Sequence, residues 1–386
     1  WTRFGRRIPY LFVGSLVAVL VMCLLPNAGS FGMAVSTAMI FGLVSLMFLD
    51  TSINMAMQPF KMMVGDMVNE KQKGLAYSIQ SFLCNAGSLV GFLFPFIFTW
   101  IGISNIAPQG VVPDSVIYSF YIGAAILILC VIYTTVKVKE MPPAEYAEYH
   151  GITEEEEKEK INMVKLLVKA PKAFWTVGLV QFFCWFAFMF MWTYTNGSVA
   201  ANVFDAPTVE TAVNGVSKVM LDTKSIQYQD AADWVGVLFA VQAIGSVLWA
   251  VCIPLFKDRK LIYSLSLVLG GLGFISTYFV HNQYVLFISF LLIGCAWAAM
   301  LALPFTILTN ALSGGHMGTY LGLFNGTICI PQIVAASLGG SILALFTPKG
   351  MLPPEINMLV MAGIMLIIGA VCVYLIKETK GEQTKA

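Results

Sequence analysis

Ten long, mostly apolar stretches, each separated from the next by a charged or Pro/Gly-rich segment, set the terms for this chain. They lie at residues 8–25, 32–57, 75–101, 115–136, 174–199, 231–256, 261–280, 284–312, 319–346 and 356–376. A helix crosses the hydrocarbon core of a bilayer with about 20 such residues, so each stretch is long enough to span. With 58% of residues hydrophobic and 11% charged, lipid is the expected solvent. The runs are continuous and do not alternate, which excludes a β-barrel, because backbone groups in lipid are satisfied within a helix or a closed sheet. The expected fold is all-α and integral to the membrane.

The charges orient it. All Lys and Arg except Lys218, Lys224 and Lys349 fall on one set of loops. By the positive-inside rule both termini are cytoplasmic, in a multi-pass protein of the plasma membrane, or of the inner membrane if the cell is bacterial. The eight cysteines each sit in a different span without a Cys-x-x-Cys pair, so neither a disulfide framework nor a zinc site is expected, and no cofactor.

The longest polar stretch, 137–172, carries Pro142, Pro143 and the run EEEEKEK, and reads as a cytoplasmic linker. Thr153 and Glu156 have capping-box spacing, which predicts a surface helix within it. The linker divides the chain into a partial N-terminal bundle, 1–136, with four spans and a C-terminal bundle, 173–386, with six and a short tail. A second polar insertion, 204–230, lies on the opposite side as a partial lid. Asn196-Gly197-Ser198 has the glycosylation pattern but abuts a span, which gives it little weight.

The halves repeat one another. Arg6-Arg7-Ile8-Pro9-Tyr10, Pro59-Phe60, Asp66 and Gly74 are matched in order by Arg259-Lys260-Leu261-Ile262-Tyr263, Pro304-Phe305, Asn310 and Gly318. Duplicated helix bundles are a common plan of transporters. Two spans precede the basic turn in the second half and none in the first, so two N-terminal helices are expected to be missing from the sequence.

Several polar residues stand inside the spans. Asp50 is the one acid well inside, and a carboxylate at that depth is costly unless paired, hydrated or protonated. Burial raises an acid toward working pH, as a proton carrier requires; a structural acid capping a neighbouring helix is the alternative. Asn54, Gln58 and Lys61 follow at offsets 4, 8 and 11, on one stripe of the helix. Lys61, near the cytoplasmic end, reads as snorkelling, and Pro59 as a hinge.

Gln181, Trp185, Phe188, Trp192 and Thr195 share a face in the fifth span. Sugars stack their C–H faces on aromatic rings and present hydroxyls to amides, and this stripe offers both; core packing or an interfacial belt is the plainer reading of the aromatics. Asn325 and Gln332, seven residues apart, are candidate hydroxyl ligands, with interhelical hydrogen bonding as the alternative. The substrate-binding candidates are therefore Asn54, Gln58, Gln181, Trp185, Asn325 and Gln332. Gly65, Gly74, Gly318 and Gly322 are expected at close helix contacts and tight turns.

Two six-helix halves with a basic turn after the second helix of each resemble the major facilitator superfamily. The opening WTRFGRRIPY and the stretch LDTSINMAMQPFKMMVGD, residues 49–66, resemble the loop between helices 2 and 3 and the fourth helix of its sucrose and glycoside cation symporters. GGHMGTYLGLFN, residues 314–325, followed by Pro331-Gln332, resembles the eleventh helix of that group. The resemblance implies a two-bundle fold in which these spans are helices 3 to 12. It implies sugar uptake by alternating access, driven by protons or, in some branches, sodium, with Asp50 at a position linked to proton coupling. Arg3, Arg6 and Arg7 with Asp66, and Asp258 with Arg259 beside Lys257, are similar to the superfamily's gating charges; topogenic charge alone also accounts for them. Thr193-Tyr194-Thr195 stands where an acid commonly occurs in the sucrose transporters, a departure that bears on the substrate.

The expected function is sugar:proton symport, with a di- or oligosaccharide such as the α-glucosides maltose or sucrose. The expected partners are the sugar and the bilayer, with no nucleic acid, and the chain is expected to act as a monomer. The nearest rivals are a sodium-coupled glycoside carrier and a facilitator of another small neutral solute. A membrane enzyme is disfavoured because His150, His281 and His316 fall in or beside loops and no nucleophile has a visible base. A channel is disfavoured by the repeat.

Overall fold

The computed structural model describes the chain outside residues 1, 3, 4, 30, 31, 69, 105–111, 143, 144, 146, 147, 149–162, 214, 215, 257, 312–316 and 377–386. Arg3, Lys257, Thr153 and Glu156 thus lie outside the described residues, as do the side chains of Gln58, Lys61 and Asp66, and the surroundings of Gly65, Gly74 and Gly318.

The chain divides into two compact units, Trp1–Glu159 and Lys160–Ala386. Unit 1 holds α1 (Ile8–Leu24), α2 (Val35–Met67), α3 (Glu70–Trp100) and α4 (Asp114–Lys137). Unit 2 opens with the short α5 (Met163–Val168), followed by α6 (Lys172–Asn202), α7 (Ile226–Cys252), α8 (Arg259–Ser276) and α9 (Leu286–Ala311). It closes with α10 (Met317–Phe324), α11 (Gly326–Phe346) and α12 (Ile356–Cys372). Among the described residues ten helical spans are long and apolar enough to cross a membrane, one for each stretch read from the sequence.

The repeat recurs in the elements. Pro59 lies within α2 and Pro304 within α9, each in the second helix after the basic turn. The starts of α1 and α8 are capped differently. Asp258 accepts from the amides of Lys260 and Leu261, satisfying two of the four N–H groups that any helix start leaves open. The α1 start has no such residue of its own. Its amides at Arg6, Arg7 and Ile8 donate instead to the carboxylate of Glu140, just beyond α4, at 2.6–3.0 Å.

The structure departs from expectation in two places. The stretch expected as one helix over 319–346 is interrupted at Asn325 between α10 and α11. Around the break the amides of Asn325 and Ile328 bond three residues back, to Gly322 and Asn325, and Thr327 turns its hydroxyl onto the Phe324 carbonyl. The second insertion contains an antiparallel hairpin, β1 (Thr208–Val213) and β2 (Val216–Leu221), paired from Thr208↔Leu221 to Val213↔Val216, so the chain is all-α only within its spans. Asn196 lies in the body of α6 with its amide oxygen buried, which removes it as a glycosylation acceptor.

Unit 2 has the larger core, with α6 and α9 at its centre: 61% of the span of each is buried, against 17% for α11. In lipid the packing of small residues replaces the hydrophobic drive between helices. A Cβ on Gly245 of α7 would stand 2.6 Å from the Leu291 carbonyl oxygen of α9, and one on Gly363 of α12 would stand 2.6 Å from the Gly271 carbonyl of α8. These glycines, and not Gly322, bring backbones together; Gly322 faces open space. In unit 1, α1 packs against both α2 and α4 around Ile8, Leu11, Ala56 and Val131.

Candidate functional site

The stripe on α6 meets a residue the sequence did not single out. Trp297 of α9 enters among Trp185, Phe188 and Trp192, with ring centroids 5.8, 4.9 and 5.9 Å away. Most of these contacts are edge-on or tilted, as ring quadrupoles prefer. Phe188 is fully buried and Trp192 is 40% exposed, so the aromatic set runs from the core to an open edge.

Two polar atoms in this set are orphaned. Gln181 is completely buried; its amide Nε2 donates to the Met300 carbonyl at 3.1 Å, but its Oε1 has no partner among the described residues. Trp185 is 8% exposed, and its indole N–H likewise has none. The unit meets such needs elsewhere: the N–H of Trp234 reaches the Gln283 carbonyl at 3.2 Å and that of Trp249 the Ser266 hydroxyl at 2.8 Å. An unmade hydrogen bond at a buried group costs about 1–3 kcal/mol, so an acceptor and a donor left open one helical turn apart call for a partner from outside the chain. Thr195 does not join them, since its hydroxyl donates to the Met191 carbonyl of its own helix at 2.6 Å.

In unit 1 the α2 stripe shows one local pair. The Asn54 amide donates to the Asp50 carboxylate at 3.2 Å and to the Asp50 carbonyl at 2.9 Å, and Asp50 itself is exposed at the surface of its unit. Asn325 sits at the break between α10 and α11, its amide 3.9 Å from the Cys329 sulfur. Gln332 is half-buried on α11, one residue beyond Pro331. No described contact joins Asn325 or Gln332 to Gln181. No cluster of His, Cys, Asp and Glu suited to a metal occurs among the described residues.

At the basic end of unit 1, Arg6 and Arg7 present their backbone amides to Glu140, and Gly5 makes this possible. Its φ is +111°, and a Cβ there would lie 2.8 Å from the Glu140 carboxyl carbon. The charge of Glu140 sits where the dipole of α1 favours an anion. In unit 2, Asp258 serves its own helix and Arg259 is exposed.

The model of the Major Facilitator Superfamily matches residues 1–219 and 206–386, which together run the length of the chain. The chain belongs to the Major Facilitator Superfamily. It is a transporter and not an enzyme, binding a small-molecule solute within a lipid bilayer. No curated protein sequence matches it. Among solved structures, this facilitator is similar to a D-xylose-proton symporter, with 14% identity, a TM-score of 0.68, and coverage of 99% of this chain and 83% of that one. It is also similar to the nucleoside transporter NupG, at 11% identity, a TM-score of 0.62, and coverage of 97% and 84%. The xylose transporter XylE from E. coli, partially occluded and inward open, matches at 12% identity and a TM-score of 0.64 over 99% and 83%. At such identities the likeness is one of fold, and the facilitator's substrate has to be argued from its own residues.

Proposed function

We propose that this facilitator is a sugar:proton symporter working by alternating access, with an α-glucoside di- or oligosaccharide as solute. The observation that carries the reading is the pair of orphaned buried groups, Gln181 Oε1 and Trp185 Nε1–H, beside the rings of Trp185, Trp192 and Trp297. A sugar hydroxyl donates to the amide oxygen, another accepts from the indole, and the pyranose C–H face stacks on an indole. Asn54 and Gln58 on α2 and Asn325 and Gln332 on α10–α11 are the further solute ligands in this reading. Asp50, held by Asn54, is the proton carrier. Arg3, Arg6, Arg7, Asp66, Asp258 and Arg259 act at the cytoplasmic ends as conformational charges. Both termini are cytoplasmic, on the distribution of Lys and Arg, in a monomer of the plasma or bacterial inner membrane.

The reading is tested by equilibrium binding of maltose and sucrose to the purified protein, followed by tryptophan fluorescence. Trp185→Phe keeps an aromatic ring but removes the N–H together with the pyrrole half of the indole, so affinity for the bound sugar falls at least roughly three- to tenfold, the worth of one neutral hydrogen bond. Unchanged affinity in this variant removes Trp185 from the site. Absence of binding of either sugar by the folded wild type removes the substrate class.

A further inference from the structure

Glu355 is a half-buried acid that stands one residue ahead of α12, at the end of unit 2 away from its basic turn. It occupies the helix N-cap but, unlike Asp258, accepts no N–H of its own helix. Its carboxyl instead lies over Gly197 of α6, so closely that any Cβ at that position would overlap it. Beside Gly197, the Asn196 amide donates to the Tyr228 hydroxyl of α7 at 3.0 Å, while its own Oδ1 is buried without a partner. The Tyr194 hydroxyl, on the same stretch of α6, fills the space over Gly339 of α11. The carboxyl thus stands where α12 meets α6 and where α7 reaches α6 through Tyr228. The titratable groups that sense its charge are Tyr194 on α6 and Tyr228 on α7. No cation or second acid acts on it among the described residues, from α8 and α11 included. A small cavity, lined by Ser198, Asn202, Thr277 and Ile356 among others, adjoins the group.

An anion without a countercharge is unfavourable, and so is a buried amide oxygen without a donor, one residue from the glycine that the carboxyl covers. One proton relieves both. We propose that Glu355 is a proton-binding site of unit 2, its carboxyl taking a proton from water and donating it in a hydrogen bond to Oδ1 of Asn196. The proton arrives as hydronium in that water: one O–H bond of hydronium breaks, one forms on the carboxyl, a water molecule is left behind, and the local charge changes from −1 to 0. Burial acts in the same sense, raising the carboxyl from 4.5 to about 7, so that the site changes occupancy at neutral pH. Its position gives the proton a structural consequence. Asn196 lies one helical turn beyond Trp192, so the charge on Glu355 bears on how the outer part of α6 packs against α12. The inference holds whichever solute is carried, because none of these residues belongs to the solute site.

Infrared spectroscopy of the full chain in lipid, titrated from pH 4 to 10, reads the protonated carboxyl directly. The wild type is expected to show a buried protonated carboxyl that disappears with a midpoint near 7 and is absent in Glu355→Gln. Asn196→Ala removes the acceptor and lowers the midpoint by about one unit, a tenfold loss of proton affinity. This second variant decides the matter alone if Glu355→Gln does not fold. A band that persists in folded Glu355→Gln, a wild-type midpoint at the ordinary value for a glutamate, or an unmoved midpoint in Asn196→Ala overturns the proposal. So does a midpoint that falls when sodium replaces choline, which would make the group a metal-cation site.

Discussion

Replacing Glu140 by alanine is the sharpest test of how unit 1 is held together. One carboxylate accepts from three successive amides, at 2.7 and 2.7 Å for the shorter contacts with Arg6 and Arg7 and 2.6 Å for Ile8. The alanine variant leaves to water the N–H groups of Arg7 and Ile8 at the start of α1 and that of Arg6 just before it, and removes an anion from the positive end of a helix dipole. An N-cap is worth about 0.5–2 kcal/mol and the dipole about 0.3–1 kcal/mol at exposed sites. Glu140 is half-buried, so water restores part of the loss, and a net cost of about 2 kcal/mol is expected. At roughly 2–4 °C per kcal/mol for a unit of this size, melting in detergent falls by roughly 4–8 °C. Glu140→Gln keeps one acceptor oxygen without the charge and should lose about half as much. The assay is a thiol-reactive-dye melt, which the free cysteines of both units permit. Melting of Glu140→Ala within 1 °C or so of wild type, or Glu140→Gln no better than alanine, refutes the reasoning.

Other outcomes follow from the same geometry. Gly363→Ala forces a methyl against the Gly271 carbonyl and is expected to cost about 1–3 kcal/mol, whereas Gly322→Ala, in open space, is expected to be neutral or slightly stabilising, both read as melting temperature. Gln181→Leu removes an orphaned acceptor together with the 3.1 Å bond from Nε2 to the Met300 carbonyl, two offsetting changes, so melting should stay near wild type while sugar affinity falls about tenfold in the fluorescence titration. Stability carries the signature of Glu355 as well. Between 4.5 and about 7 the folded chain retains a proton that the unfolded chain has released, so this contribution is full below 4.5 and is lost as pH rises through 7. Melting temperature should decline across that window in wild type and decline less in Glu355→Gln.

What the sequence disclosed, and what it did not, follows from the range of the interactions involved. The ten spans and the repeat were legible because apolar runs and basic turns are local signals. The hairpin was legible too: Asn214-Gly215 between the alternating Thr208–Val213 and Val216–Leu221 is a strong short-range turn signal, outweighed by the apolar composition of the whole. Glu140 was not legible, because its partners are backbone amides more than 130 residues away and carry no side-chain signature. Trp297 was passed over for a similar reason, since nothing in CAWAAM says that α9 faces the aromatic stripe of α6. The seam glycines share their spacing with glycines that touch nothing, and only the packing separates Gly363 from Gly322. Glu355 escaped a search for acids deep within spans by standing one residue outside one, in MLPPE, where only the tertiary fold buries it.

The most direct test of the central claim is uptake of labelled maltose and sucrose into proteoliposomes under an imposed pH gradient, with Asp50→Asn measured beside the wild type. The account predicts that the wild type concentrates one of the two sugars in step with the proton gradient. It predicts that Asp50→Asn keeps sugar exchange and loses accumulation. Failure to move either sugar, accumulation that follows sodium instead, or undiminished accumulation by Asp50→Asn would contradict it.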